Sequence, residues 1–331
     1  WWLSSPHGQT IAGRLLRRPH PPAFQRIRLD TPDGDFLDLD VPPPPRENAP
    51  IVVLFHGLEG SARRGYAINT YRELFARGIA AIGVNFRSCS GEPNRTARFY
   101  HSGETGDLHL ALDYVATRFP GTPIGAVGFS LGGNALLKYL GEMGESAIVT
   151  CAVAISVPYD LAAGARQLES SAMGRFYSRH FIRSLIAKAE MKAGLLADKC
   201  ELERVRRART FYEFDDAATA PLHGFASADD YYMRSSSGPY IDRIRRPVLL
   251  VHAEDDPFVP PEAVPRARID ANPWVKAAIT RAGGHVGFIA GPPWAPRFWV
   301  ERQAARFLAA QFANPGSRIK DRRIEDLGFR S

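Results

Sequence analysis

Cysteine is scarce in this chain of 331 residues: Cys89, Cys151 and Cys200 are odd in number, far apart and without a Cys-x-x-Cys pair. That spacing argues against a disulfide framework or a cysteine-based zinc site, and a reducing cytoplasm is the expected compartment. Long apolar runs are missing too. None approaches the roughly 20 residues that cross a bilayer, and no charged start leads into the apolar h-region of a secretory signal. Internal repeats and low-complexity tracts are likewise absent.

What is present has the composition of an ordinary soluble globular protein, 45% apolar and 23% charged. The length suits one large α/β domain or two smaller ones. A net charge of +7 is unevenly placed, because residues 161–212 hold eleven basic side chains against five acidic ones. Such a segment is either a solvated helical face or a surface that attracts anionic lipid or anionic substrate, giving weak peripheral membrane contact. Nucleic acid is not an expected partner, since no helix-turn-helix, zinc-finger or RNP-like pattern accompanies the charge.

Residues 1–25, with prolines at 6, 19, 21 and 22, read as an extension packed on a domain. Residues 26–29 and 36–41 alternate as two strands around a Pro-Asp-Gly turn, and prolines 42–45 form a stiff spacer. Residues 51–55 are an unbroken apolar run, as a parallel strand buried on both faces requires. Helix 66–77, strand 79–84, helix 106–119, strand 124–127, helix 134–140 and strand 148–157 then alternate. From 160 to about 240 the pattern is helical and basic without a strand. Strands resume at 248–253 and 275–279, and a helix over 294–312 closes the pattern.

The expected architecture is an α/β fold with a mostly parallel central sheet, helices on both faces and a helical lid insertion. Its parts are an N-terminal extension and hairpin (1–48), a core (49–159 and 241–313), a lid or cap (160–240) and a C-terminal tail (314–331).

The centre of this pattern is Gly128-Phe129-Ser130-Leu131-Gly132, between a strand and a helix. That is the setting of a G-x-S-x-G nucleophile elbow. Glycines at 128, 132 and 133 remove Cβ atoms that would clash in so sharp a turn, which lifts the Ser130 hydroxyl beside the Leu131 amide at a helix N-terminus. Among 29 glycines the five-residue pattern alone is weak, and the flanking strand and helix give it weight.

Loops at the carboxyl ends of an open parallel sheet share one crevice, so Ser130, the acidic cluster after 253, His285 and the His56-Gly57 loop should converge. Serine needs a base at neutral pH; His285 can take its proton, and a carboxylate must hold the imidazole. The order Ser, acid, His is that of the α/β hydrolases. Flanking glycines and a place after the last strand favour His285, whereas His7, His101, His109 and His223 have no such setting.

Asp256 lies where a Gly-x-x-Asp-x-x-x-Pro pattern puts the acid, with Ala253 for Gly and Pro260 four residues on. Asp255 is the alternative, Glu254 a solvated neighbour, and a capping aspartate before a Pro turn the bland reading. The amides of Leu58 and Leu131 would form an oxyanion hole. A metal shared by His252, Glu254, Asp255 and Asp256 fails because successive strand residues face opposite ways, so no metal or cofactor is expected. Arg87 and Asp107 read as a structural pair beneath the site, and the cysteines as packing residues.

Further motifs span nearly the whole chain: Pro6-His7-Gly8-Gln9-Thr10-Ile11, His56-Gly57-Leu58-Glu59-Gly60-Ser61, Asn85-Phe86-Arg87 and Tyr100-His101-Ser102-Gly103. To these add Gly128 to Asn134, Thr219 to Phe225, Asp255-Asp256-Pro257-Phe258 and Gly284-His285-Val286-Gly287-Phe288. Together they resemble the YheT-like α/β hydrolases, bacterial relatives of the eukaryotic abhydrolase-domain lipases and esterases. The resemblance implies carboxylic-ester hydrolysis, with some relatives acting on medium-chain acyl or phospholipid esters and some transferring the acyl group. Ser88 departs from it, standing where such sequences usually have Gly after the Arg.

The expected function is a serine hydrolase cleaving carboxylic esters of short to medium acyl chain, lipids among them, through an acyl-enzyme. The alternatives are transfer of the acyl group to an alcohol or thiol, and a hydrolase scaffold used only for binding.

Overall fold

Strand β1 (Gln25–Asp30) pairs antiparallel with β2 (Phe36–Val41) across a turn in which Gly34 has φ +79°, a left-handed value that glycine adopts without strain. In the computed structural model, which describes residues 2–315, these two lead into six further strands. They are β3 (Ile51–Phe55), β4 (Ala80–Asn85), β5 (Ile124–Phe129), β6 (Cys151–Ile155), β7 (Val248–Ala253) and β8 (Val275–Thr280). The spatial order is β1-β2-β4-β3-β5-β6-β7-β8, with β2 antiparallel to β4 and every later pairing parallel.

Helices α1 (Pro6–Leu16), α2 (Gly65–Phe75), α3 (Gly106–Arg118) and α4 (Leu131–Met143) belong to the first half of the chain. Between β6 and β7 the chain is helical: α5 (Leu161–Glu169), α6 (Ala172–Met191), α7 (Ala193–Leu196), α8 (Leu202–Arg207) and α9 (Phe211–Phe214) come first. A π-helical turn (Asp215–Thr219), α10 (Ala220–His223) and α11 (Ala228–Ser235) complete this cap. Its longer helices start on side-chain caps, Asp160, Ser171 and Ser227, and Thr210 with Glu213 makes a capping box. Helices α12 (Arg266–Ala271) and α13 (Trp299–Ala313) follow.

Strand alternation divides the core into two layers. Val53 and Phe55 pack with Leu108, Leu112, Leu136 and Leu140 of α3 and α4. Val52 and Leu54 pack with Tyr71 and Leu74 of α2 and with Val300, Phe307 and Leu308 of α13. Every residue of β3, β5, β6 and β7 is buried, which explains their composition, apolar throughout except for His252 in β7.

Several boundaries differ from the sequence expectation. The helix after the elbow begins at Leu131, not 134, and the closing helix begins at Trp299, not 294, because Ile289–Ala290 and Arg297–Phe298 pair as a two-stranded ribbon first. The N-terminal extension contains α1, anchored by a buried Arg17 to Glu301 pair of 2.6 Å. The expected tail beyond 315 lies outside the described residues. Among those described, no helix is long and apolar enough to cross a membrane.

Candidate active site

Ser130 stands alone between β5 and α4 at φ +51°, ψ −116°, a region that side chains other than glycine rarely occupy. Hydrogen bonds hold it from both sides, Ser130 N donating to Ile155 O at 2.8 Å and Asn134 N donating to Ser130 O at 2.9 Å. The turn can be this tight only with glycine at 132, where a Cβ would sit 2.5 Å from the carbonyl oxygens of Phe55 and His56. The Leu131 amide lies in the first turn of α4, where backbone N–H groups have no intrahelical partner.

The imidazole of His285 reaches the same point from the loop after β8. Its Nε2 is 2.9 Å from Ser130 Oγ, and its Nδ1 is 2.9 and 3.1 Å from the two carboxylate oxygens of Asp256. A carboxylate only accepts, so Nδ1 carries the proton, and Nε2 offers a lone pair to the serine hydroxyl. Asp256 is buried at the end of β7 and also accepts from Phe258 N at 2.9 Å. Asp255 acts elsewhere, its Oδ1 accepting from Gly283 N and Gly284 N at 2.9 and 2.8 Å and so bracing the loop that carries His285. Glu254 is exposed, and Arg87 and Asp107 form a buried bidentate pair at 2.7 and 2.8 Å.

Groups that sequence reasoning had not singled out orient the imidazole. The Phe258 ring stacks on it at 4.2 Å and 8°, and His285 N donates to Thr10 Oγ1 of α1 at 2.9 Å. Val286, at φ +57°, donates its N–H to Ser156 Oγ at 3.0 Å. Thr10 and Phe258 fall inside motifs visible in the sequence; Ser156 had no signal.

The loop after β3 closes the other side. A Cβ on Gly57 would lie 3.3 Å from Ser130 Cβ. His56 Nε2 accepts from Phe86 N at 3.1 Å, so its Nδ1–H donates to Gly57 O at 2.7 Å. Burial pushes the His56 pKa down to about 4, which keeps the ring neutral. Gly57 N donates to Tyr66 Oη at 3.0 Å, while Leu58 N finds no acceptor among the described residues. Ser88, the departure from the resembled pattern, has φ +60°, which accounts for glycine being usual there.

His101, Glu104 and His223 meet between core and cap with donor atoms within 4.8 Å of one another. The donor chemistry fits a shared proton better than a cation. Arg98 already donates to Glu104 Oε2 at 2.7 Å, and His101 Nδ1 accepts from Gly103 N at 3.1 Å, leaving its Nε2 protonated toward Glu104. Burial, with His101 and Arg98 nearby, pushes the His223 pKa down to about 2.

Comparison with known proteins agrees with this fold. The family description of the alpha/beta hydrolase fold matches residues 50–292. A protein named "Putative esterase YheT" from Escherichia coli (strain K12) is 40% identical over 315 residues, covering 92% of this chain and 91% of that protein. The "Monoacylglycerol lipase" of Saccharomyces cerevisiae is 31% identical, over 91% of this chain and 69% of the relative. The solved Pyrococcus furiosus esterase Pf2001 superposes with a TM-score of 0.54 at 19% identity, over 80% of this chain and 84% of that one, a likeness of fold. With a family match over most of its length and a close relative spanning nearly all of it, the chain belongs to the α/β-hydrolase fold family, among the YheT-like members.

Proposed function

We propose that the protein is a carboxylic-ester hydrolase that works through an acyl-serine, with Ser130 as nucleophile, His285 as base and Asp256 as its partner. The observation that carries this reading is the continuous hydrogen-bonded chain from Ser130 Oγ through His285 to Asp256, at 2.9 Å for each link. The Ser130 hydroxyl gives its proton to His285 Nε2 as Oγ attacks the ester carbonyl carbon. The resulting oxyanion takes hydrogen bonds from the amides of Leu58 and Leu131, aided by the N-terminus of α4. Collapse expels the alcohol, which leaves with the proton from His285, and water repeats the sequence to release the acid.

Replacement of Ser130 by alanine is expected to abolish both fluorophosphonate labelling and ester turnover; retained turnover would refute the reading.

The names of the relatives, an esterase and a monoacylglycerol lipase, support acyl esters and lipids as the substrate class; short to medium acyl chains, and residues 160–240 as the lid, belong to the same proposal. A panel of p-nitrophenyl esters graded by chain length tests that range. Product partition with added alcohol separates hydrolysis from acyl transfer.

Weak attachment to anionic lipid is supported by α1 and α6. Arg14, Arg18, Arg175, Arg179 and Arg183 are exposed and make no ion pair among the described residues, and exposed Ile11, Leu15 and Phe176 lie among them. Co-sedimentation with anionic vesicles at low but not high salt is the expected result.

A further inference from the structure

Glu59 is a partly buried acid next to the Leu58 amide, and the acyl-serine reaction itself gives it no part. Its backbone is left-handed at φ +52°, unusual for a residue with a side chain. Every polar group it has is engaged. Its N–H donates to Tyr100 Oη at 2.8 Å, and its carbonyl accepts from Arg64 at 2.8 Å. Its Oε1 accepts from Tyr100 Oη at 2.9 Å and from Lys188 Nζ at 2.7 Å, and its Oε2 accepts from Ser184 Oγ.

Two of the three side chains that bind this carboxylate, Ser184 and Lys188, belong to α6 of the cap. The third, Tyr100, stacks on Phe86 at 5.4 Å and so is fixed to the core. Burial alone would raise the Glu59 carboxyl, but Lys188, Ser184 and Tyr100 outweigh it and hold the group ionised. On the other side of Leu58, Gly57 is pinned through both its N–H and its carbonyl, the latter also closing a turn from Gly60 N at 3.0 Å. The Leu58 amide therefore points where residues 57 and 59 hold it, and one of those two holds depends on the cap.

We propose that Glu59 is a positioning residue for the Leu58 amide, and that Ser184 and Lys188 of α6 make the cap a working part of the oxyanion hole. This rests on the acyl-serine reading and on Leu58 as an oxyanion donor. Glutamine at 59 removes the negative charge opposite Lys188, so the charge-assisted bond between them becomes a weaker neutral one. Methionine at 188 leaves the partly buried carboxylate without its counter-charge. In either variant the left-handed turn is held less firmly, and the amide drifts from the position that the transition state needs but substrate binding does not.

The test compares Glu59→Gln, Lys188→Met and the mild Ser184→Ala, which only removes one donor. Active enzyme is counted by fluorophosphonate titration and p-nitrophenyl butyrate is the substrate. Glu59→Gln and Lys188→Met are expected to lower kcat by about 10- to 100-fold with KM within about threefold. That is less than the 10²–10³-fold typical when an oxyanion donor is removed outright. Ser184→Ala is expected to lower kcat several-fold, so the test survives if a stronger variant does not fold. Affinity for an arylboronic acid, whose tetrahedral adduct uses the same amides, should fall in parallel with kcat/KM. The double variant Glu59→Gln/Lys188→Met should be no worse than the worse single one, since both break one linkage.

Folded variants that keep kcat and boronate affinity within about threefold of the parent would overturn the proposal, even if they melt at lower temperature. Turnover in Ser130→Ala would instead overturn the reading beneath it; an inert Ser130→Ala with normal Glu59 and Lys188 variants removes the positioning role alone.

Discussion

The sheet core and the helical cap are held together by different forces. In the core, strands such as β3 and β5 are buried along their whole length, and the proposed site lies where those strands end. The cap has only small apolar clusters, Ile182, Leu196, Val205 and Phe214 in one and Leu161, Tyr231 and Tyr232 in another. It is seated on the core largely by directed polar contacts. Lys192 Nζ donates to Asn94 Oδ1 and Arg98 O at 2.8 and 2.9 Å, and Ser102 N donates to Tyr231 Oη at 3.0 Å. Asn134, just after the elbow, donates to Ser102 O and Ser235 O and accepts from Ser237 N. Apolar burial is non-directional and tolerant of shape-conserving change, whereas a buried hydrogen bond fails when one atom is removed. The core should therefore yield gradually to substitution and the cap's seating abruptly.

The largest expected effect is in the core site. Asp256→Asn should lower kcat by about 10³- to 10⁴-fold, because the imidazole loses the carboxylate that fixes its tautomer. Asp255→Asn should act mainly through a loosened 283–285 loop and cost far less; initial rates of the two variants decide between them, and equal losses would put both acids in the same role. Next in size is packing. Leu54→Ala in β3 should cost about 2–5 kcal/mol of global stability in denaturant unfolding. Leu196→Ala in the cap should instead raise susceptibility to limited proteolysis within 160–240 while the main transition moves little. Equal shifts of that transition would show that cap and core unfold as one unit.

A smaller effect separates the regions by pH. His223 is neutral in the native protein, its pKa pushed down to about 2 by burial, while the unfolded chain takes up a proton near pH 6.5. Stability tied to this group is thus complete above about pH 6.5 and is lost as pH falls below it, by about 2 kcal/mol at pH 5. His223→Gln should flatten the decline in Tm between pH 7 and 5, and an unchanged slope would mean that the ring is not held neutral. Smallest of all, Arg179→Ala on the exposed face of α6 should change stability by less than about 0.5 kcal/mol.

Much of this was legible beforehand for identifiable reasons. The strands of the parallel sheet declared themselves because burial on both faces demands unbroken apolar runs. Ser130 was marked by glycines that a sharp turn requires, and His285 and Asp256 by their places after the last strands. The partners of Glu59 were not legible, because Ser184 and Lys188 lie more than a hundred residues along in a segment whose helices pack through small clusters. Thr10 stood in a visible motif, but its contact was not legible, since its hydroxyl meets an amide 275 positions away. His101 and His223 each looked like an isolated histidine, and only the docking of α10 on the core makes them a cluster with Glu104.

By itself the sequence determined the order of strands and helices, the strained serine turn and the kinds of side chain that the carboxyl edge of the sheet would present. These follow from local stereochemistry and from the periodicity of burial, which act over a few residues. Only the tertiary structure decided which carboxylate faces the imidazole, what braces its loop, and how the cap reaches the turn at residues 57–59. Those outcomes depend on close packing between segments distant along the chain, where an angle or an ångström separates a hydrogen bond from none.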